Sequence, residues 1–179
     1  MKLTLARYGI GTLILTLGLS LGVAQARDVR PAANEQWLSQ KVRHELVMLP
    51  WYGVFDNLEY SIQGDTVILS GQVTRPTLKS DAEARVKRIE GVSRVVNNIE
   101  VLPLSPMDNR IRLAMYRALF RTPGLDRYAL APVPSIHIIV KNGNVVLKGV
   151  VDRVADKNMA EIIARGVPGV FSVTNDLRA

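Results

Sequence analysis

The sequence runs Gly64-Asp65-Thr66-Val67-Ile68-Leu69-Ser70-Gly71-Gln72-Val73. Moved forward 78 positions, that stretch falls on Asn142-Gly143-Asn144-Val145-Val146-Leu147-Lys148-Gly149-Val150-Val151. Val67, Leu69, Gly71 and Val73 meet Val145, Leu147, Gly149 and Val151. Alternation of this kind marks a strand with one buried face, and a glycine inside it marks a close backbone approach. Two such strands in one register make the chain a duplication.

Working outward, residues 58–101 superpose on 136–179 without a gap, and a dozen of the 44 positions are identical. Leu58, Tyr60 and Ile62 alternate ahead of the first copy's turn, as Ile136, Ile138 and Val140 do ahead of Asn142-Gly143. Asn-Gly between alternating apolar runs predicts a hairpin, because both residues tolerate positive φ. Downstream, Ala82, Val86 and Ile89, matched by Ala160, Ala164 and Val167, predict a helix. Gly91-Val92-x-x-Val95-x-Asn97 and Gly169-Val170-x-x-Val173-x-Asn175 then lead into a last strand, Val95 to Val101 and Val173 to Leu177.

Upstream, Leu38, Val42 and Leu46 match Ile111, Met115 and Leu119 at helical spacing, with Asn34 and Asp108 as expected N-caps. Here the offset is 73, so the second copy holds five extra residues, within Thr122–Ser135. The prolines and glycine of that segment predict a loop, read as a spacer or as an extension of a binding surface through Arg127, Tyr128 and Leu130. The expected fold is α+β: two tandem two-layer α-β-β-α-β modules, each a three-stranded mixed sheet with two helices. The domains are expected over 34–102 and 107–179, joined by the stiff linker 103–106, with contact between them.

The two motif copies resemble the BON domain, named for bacterial osmotically inducible periplasmic and nodulation proteins. The resemblance covers essentially the whole chain after residue 26. It implies a periplasmic or outer-membrane-associated, non-enzymatic protein that binds phospholipid surfaces or envelope proteins. The matched residues are structural glycines and core valines, so it carries no catalytic residue across. Some relatives are lipoproteins, whereas this chain has no cysteine.

The first residues read as an address. Lys2 and Arg7 precede an uncharged apolar run from Tyr8 to Val23, which closes on Ala24-Gln25-Ala26. Basic start, apolar run and small-x-small site predict a secretory signal peptide over 1–26, cleaved after Ala26, with 27–33 a short lead-in. The run falls short of the about 20 residues that span a bilayer. The full chain of 179 residues carries a formal charge of +7; residues 27–179 keep +5. A basic exported chain points to anionic phospholipid or acidic envelope partners, and export argues against nucleic acid.

Chemistry is sparse. The absence of cysteine removes thiolate and disulfide chemistry. His44 is expected in solvent, and His137 on the strand face opposite Ile136 and Ile138. Asp152, Asp156 and Glu161 follow helix-cap and helix-face placement rather than an acid/base pair. No catalytic residue, metal site or cofactor is expected.

The candidate site is the first helix of the second copy. Wound at 3.6 residues per turn, Arg110, Arg117 and Arg121 fall within about 40° of one another. Beside them Leu113, Tyr116 and Phe120 make a second apolar stripe, away from the core face of Ile111, Met115 and Leu119. Rings at headgroup level beside guanidinium groups suit an anionic membrane interface. The competing reading packs the stripe against the other module or under the loop and leaves the arginines solvated. Trp37, Trp51, Tyr52 and Phe55 are read as a docking patch or as part of the core or inter-module interface. The functional alternative to lipid binding is a protein-interaction or chaperone-like adaptor for outer-membrane or exported proteins.

Overall fold

The computed structural model describes residues 32–179; the export signal expected over 1–26 lies outside the described residues. Helix α1 (Ala32–Val47) is followed by strands β1 (Asn57–Gln63) and β2 (Thr66–Val73), helix α2 (Pro76–Val86), and strands β3 (Arg94–Asn97) and β4 (Glu100–Val101). The second module repeats the order with α3 (Pro106–Phe120), β5 (Ile136–Lys141), β6 (Asn144–Val150), α4 (Val154–Arg165) and β7 (Ser172–Arg178).

Both hairpins are antiparallel with two-residue turns: Gln63 pairs with Thr66, and Lys141 with Asn144. Both last strands run parallel to the strand that precedes the crossover helix, so each sheet is mixed. In the first module the expected single strand is interrupted at Asn98 and Ile99 and assigned as β3 and β4, although the register carries through from Leu69↔Asn97 to Gln72↔Glu100. Ile89 and Val167, read as helical, lie just past the ends of α2 and α4.

Each module has its own core. Leu38, Val42 and Leu46 of α1 close over Val67, Leu69 and Val73, with Leu78, Ala82 and Val86 of α2 beside them. Ile111, Met115 and Leu119 of α3 close over Ile138, Val145 and Leu147, with Ala160 and Ala164 of α4. Gly71 and Gly149 are required where the hairpin strands cross. Their φ values are +110° and +122°, and a Cβ would overlap the carbonyl oxygens of Asn57 and Ser135.

A polar clamp also repeats. Asn97 Nδ2 donates to Lys79 O (2.9 Å) and Glu83 Oε2 (3.1 Å), while its Oδ1 accepts from Ile99 N (3.2 Å). Asn175 makes the same three bonds to Lys157 O, Glu161 Oε2 and Leu177 N. The shared Lys, Glu and Asn identities of the repeat thus tie helix to last strand.

The expected N-caps are corrected. Helix α1 already runs from Ala32, two residues ahead of Asn34. Ser105 caps α3, its Oγ accepting from Asp108 N at 3.1 Å, because Pro106 is pre-set for the first helical position. That leaves the Asp108 carboxylate free to accept from Asn142 N (3.0 Å) and Gly143 N (2.9 Å), so α3 holds the β5–β6 turn.

The modules meet along a seam. Val54 O accepts from Ile138 N (2.7 Å) at the edge of β5, and Val54 and Phe55 pack against the second module's core. Two ion pairs cross it, Glu59–Lys148 at 2.9 Å and Glu100–Lys141 at 2.5 Å.

Candidate functional site

On α3 the structure places Arg110, Leu113, Arg117 and Arg121 at the surface, Leu113 with 48% of its area exposed. Arg121 is also the residue that closes the helix, its N–H returning to Arg117 O. Among the described residues none of the three arginines has an ion-pair partner; Arg110 Nη2 lies 3.6 Å from Met107 Sδ. Tyr116 is exposed as well, at 39%, whereas Phe120 is half-buried. Their rings meet edge-on at 5.0 Å, and Phe55 of the first module comes edge-on to Tyr116 at 6.3 Å. The loop between α1 and β1 therefore covers part of the apolar stripe, while Leu113 and the arginines stay outside it.

Arg112 is buried. Its Nη2 donates to Val140 O (2.7 Å) and its Nη1 to Asn109 Oδ1 (2.5 Å). Burial pulls the guanidinium below its ordinary range, against the charges of Asp108 and Asp56. This arginine holds α3 on β5 and presents no charge to a ligand.

The four aromatic residues of the first module do not make one patch. Tyr52 stacks on His137, with ring centroids 5.7 Å apart, and its hydroxyl accepts from Leu58 N (3.3 Å). Burial pushes the Tyr52 phenol up to about 12. Phe55 sits on Tyr116. Trp37 is partly exposed with Lys41 Nζ 6.0 Å from its ring. Trp51 is 72% exposed under the Arg75 guanidinium at 4.9 Å.

His137 does lie on the face of β5 opposite Ile136 and Ile138, yet it is buried, because the first module covers that face. His44 is exposed. Beside His137 an open cleft of about 890 Å³ separates the modules, with Arg43, Tyr60, Glu59, Lys148 and Arg178 among its walls. The Lys148 hydrogen bond holds the Glu59 carboxyl below its ordinary range, against burial.

The segment Thr122–Ser135 is neither a spacer nor an extension of the basic surface. Leu125 and Tyr128 are core residues, and the turn Asp126–Ala129 sets Tyr128 Oη against Asp156 Oδ2 (2.8 Å) and Asp152 N (2.8 Å). Arg127 Nη2 reaches the same Asp156 oxygen at 2.5 Å. Of Arg127, Tyr128 and Leu130, it is Leu130 that projects into solvent, at 83% exposure. A lone tyrosine in a proline-rich loop gives no periodic signal, so this role was hidden. Among the described residues no three His, Cys, Asp or Glu side chains gather as a metal set, and no helix is long and apolar enough to cross a membrane.

Among solved structures the chain is similar to CdsD, a structural protein of the type III secretion system of Chlamydia trachomatis. The identity is 12%, with 78% of this chain and 90% of that one covered and a TM-score of 0.31. A second structure, the C-terminal domain of CdsD, gives 14% identity, 78% and 96% coverage and a TM-score of 0.29. No curated protein matches the chain. The BON domain family matches twice, over residues 34–103 and 108–179. BON domains are known in periplasmic and envelope proteins, and the family is generally non-enzymatic. The chain belongs to the BON domain family and carries two of its domains in tandem.

Proposed function

We propose that this tandem-BON chain is exported, with cleavage after Ala26, and acts without catalysis. In this reading it holds reversibly to anionic phospholipid surfaces and supports envelope integrity or osmotic tolerance. The observation that carries the reading is the outer face of α3, where Arg110, Arg117 and Arg121 stand exposed without acidic partners among the described residues, beside exposed Leu113. Guanidinium groups pair with lipid phosphates in two-pronged geometry, and apolar groups beside them gain by entering the headgroup layer. Each basic residue near an anionic surface contributes about 1 kcal/mol, so three give weak, reversible attachment. Tyr116, 39% exposed on the same helix, supports it, since edge-on contacts with Phe55 and Phe120 fix its ring.

The test is co-sedimentation with vesicles of phosphatidylglycerol mixed into phosphatidylcholine, against phosphatidylcholine alone. Binding to the anionic vesicles only, weakened by salt and lost when Arg110, Arg117 and Arg121 are all changed to alanine, supports the reading. Binding that survives the triple change moves the site elsewhere, and absence of binding to either vesicle rejects lipid recognition.

A further inference from the structure

The loop that anchors Phe55 on Tyr116 also builds a projecting tip, Val47-Met48-Leu49-Pro50-Trp51. Leu49 is buried in the first module's core, and Tyr52 N returns to Leu49 O at 3.3 Å. That tight turn throws the residues on either side of Leu49 outward. Met48 is 62% exposed and Trp51 72%. Trp51 has φ +68°, a left-handed conformation that a bulky side chain rarely adopts. The strain is held without burial of the indole in return, and strained residues of this kind concentrate where a surface is used.

The tip carries a cation on its ring. Arg75 lies over the Trp51 ring at 4.9 Å, and exposed Arg43 stands one turn back on α1. The acids that flank the tip in sequence are both engaged: Glu45 pairs with Arg85 at 3.3 Å. Asp56 is buried, accepting from Thr74 N and Oγ1 and from Gly53 N. An exposed indole beside an exposed methionine, with a guanidinium stacked on it and both flanking acids engaged, has the chemistry of an interfacial anchor. The ring sits at headgroup depth while the cation meets phosphate.

We propose that the Met48–Trp51 tip of the first module, with Arg75 on its indole, enters the headgroup layer of an anionic membrane as a second lipid contact beside α3. This inference rests on the lipid-binding reading above, and it divides the contact between both modules. Two linked contacts on one surface raise overall attachment beyond what either gives alone.

The experiment uses Trp51 as its own probe. In a Trp37→Phe background Trp51 is the sole tryptophan of the chain. On adding phosphatidylglycerol-containing vesicles its emission should shift to the blue and be quenched by brominated acyl chains. Trp51→Gly suits the left-handed backbone, so it should keep the melting profile and weaken vesicle affinity about tenfold, the order expected for withdrawing one large apolar side chain. Trp51→Phe should restore most of the loss. Unchanged Trp51 emission with full co-sedimentation overturns this inference and leaves the α3 site standing. Failure of the unsubstituted protein to bind any vesicle overturns both.

Discussion

The ring of Tyr52 lies against that of His137 with centroids 5.7 Å apart and planes 22° apart, so one stack ties the loop after α1 to strand β5. Burial pulls the imidazole below its ordinary range; the carbonyls of Asp56 and Gly53 and the charge of Asp56 pull the other way and do not cancel it. Among the described residues His137 Nδ1 has no hydrogen-bond partner. Lys148 stands opposite in the β5–β6 ladder and is engaged by Glu59.

A pH dependence follows. The unfolded histidine titrates near its ordinary value of about 6.5, and the folded one below it. Between those values the unfolded chain binds more protons, so this group lowers stability as pH falls through about 6.5 and adds nothing above it. The thermal midpoint should drop between about pH 7.5 and about pH 5.5, and His137→Phe, which preserves the stack, should flatten part of that drop. An unaltered slope in the variant would remove His137 from the account.

Asp108→Ala should loosen the second module. It strips the acceptor from Asn142 N and Gly143 N, the latter at a buried residue, and takes a compensating charge from near buried Arg112. A buried donor left unpaired costs about 1–3 kcal/mol. Urea unfolding should show a loss of that order, with Asp108→Asn intermediate because its amide oxygen still accepts. Equal stability of Asp108→Ala and the parent chain would contradict the assignment.

Two glycine substitutions should separate backbone conformation from steric overlap. Gly64 has φ +64° and open space around a built Cβ, so Gly64→Ala should cost about 1–2 kcal/mol from the left-handed backbone alone. Gly149 combines φ +122° with a Cβ that would overlap Ser135 O, an atom already accepting from Val150 N. It cannot step aside without disturbing the β5–β6 pairing. Gly149→Ala should cost about 3 kcal/mol or more and leave much of the chain unfolded by circular dichroism. Similar melting of the two variants would show that the strand crossing tolerates a side chain.

What was legible in the sequence is what each module does within itself. The valine alternation, the turn residues and the Asn97 and Asn175 clamps are local or repeat at one offset, so they point to hairpin, crossover and core together. Contact between the modules was expected, but the residues that make the seam were hidden, because periodicity tells which face a strand buries against its own helices and not what covers the other. Strand β5 shows the gap: His137 and Ile139 are buried as well as Ile136 and Ile138, and the cover over His137 is Tyr52 of the other module. The arginine stripe of α3 was readable from helical spacing. Packing of its apolar neighbour on the other module was one of the two readings, but that Phe55 is the residue that meets Tyr116 was not legible, since the contact joins residues of two modules.

The backbone N–H that follows the central strand is captured in both modules by different means, which sets up the last prediction. Thr74 N and Asp152 N occupy equivalent positions at the 78-residue offset. The first is taken by the Asp56 carboxylate at 2.6 Å and the second by Tyr128 Oη at 2.8 Å. Tyr128→Phe keeps the ring in the core but leaves Asp152 N without its acceptor and Asp156 without the phenol donor. The cost should be about 1–3 kcal/mol in urea unfolding. Because Tyr128 and Arg127 share one Asp156 oxygen, the losses from Tyr128→Phe and Asp156→Ala should not add. If the double variant loses the sum of the two single effects, the tyrosine and the aspartate act separately, and the five extra residues of the second module do no more than lengthen a loop.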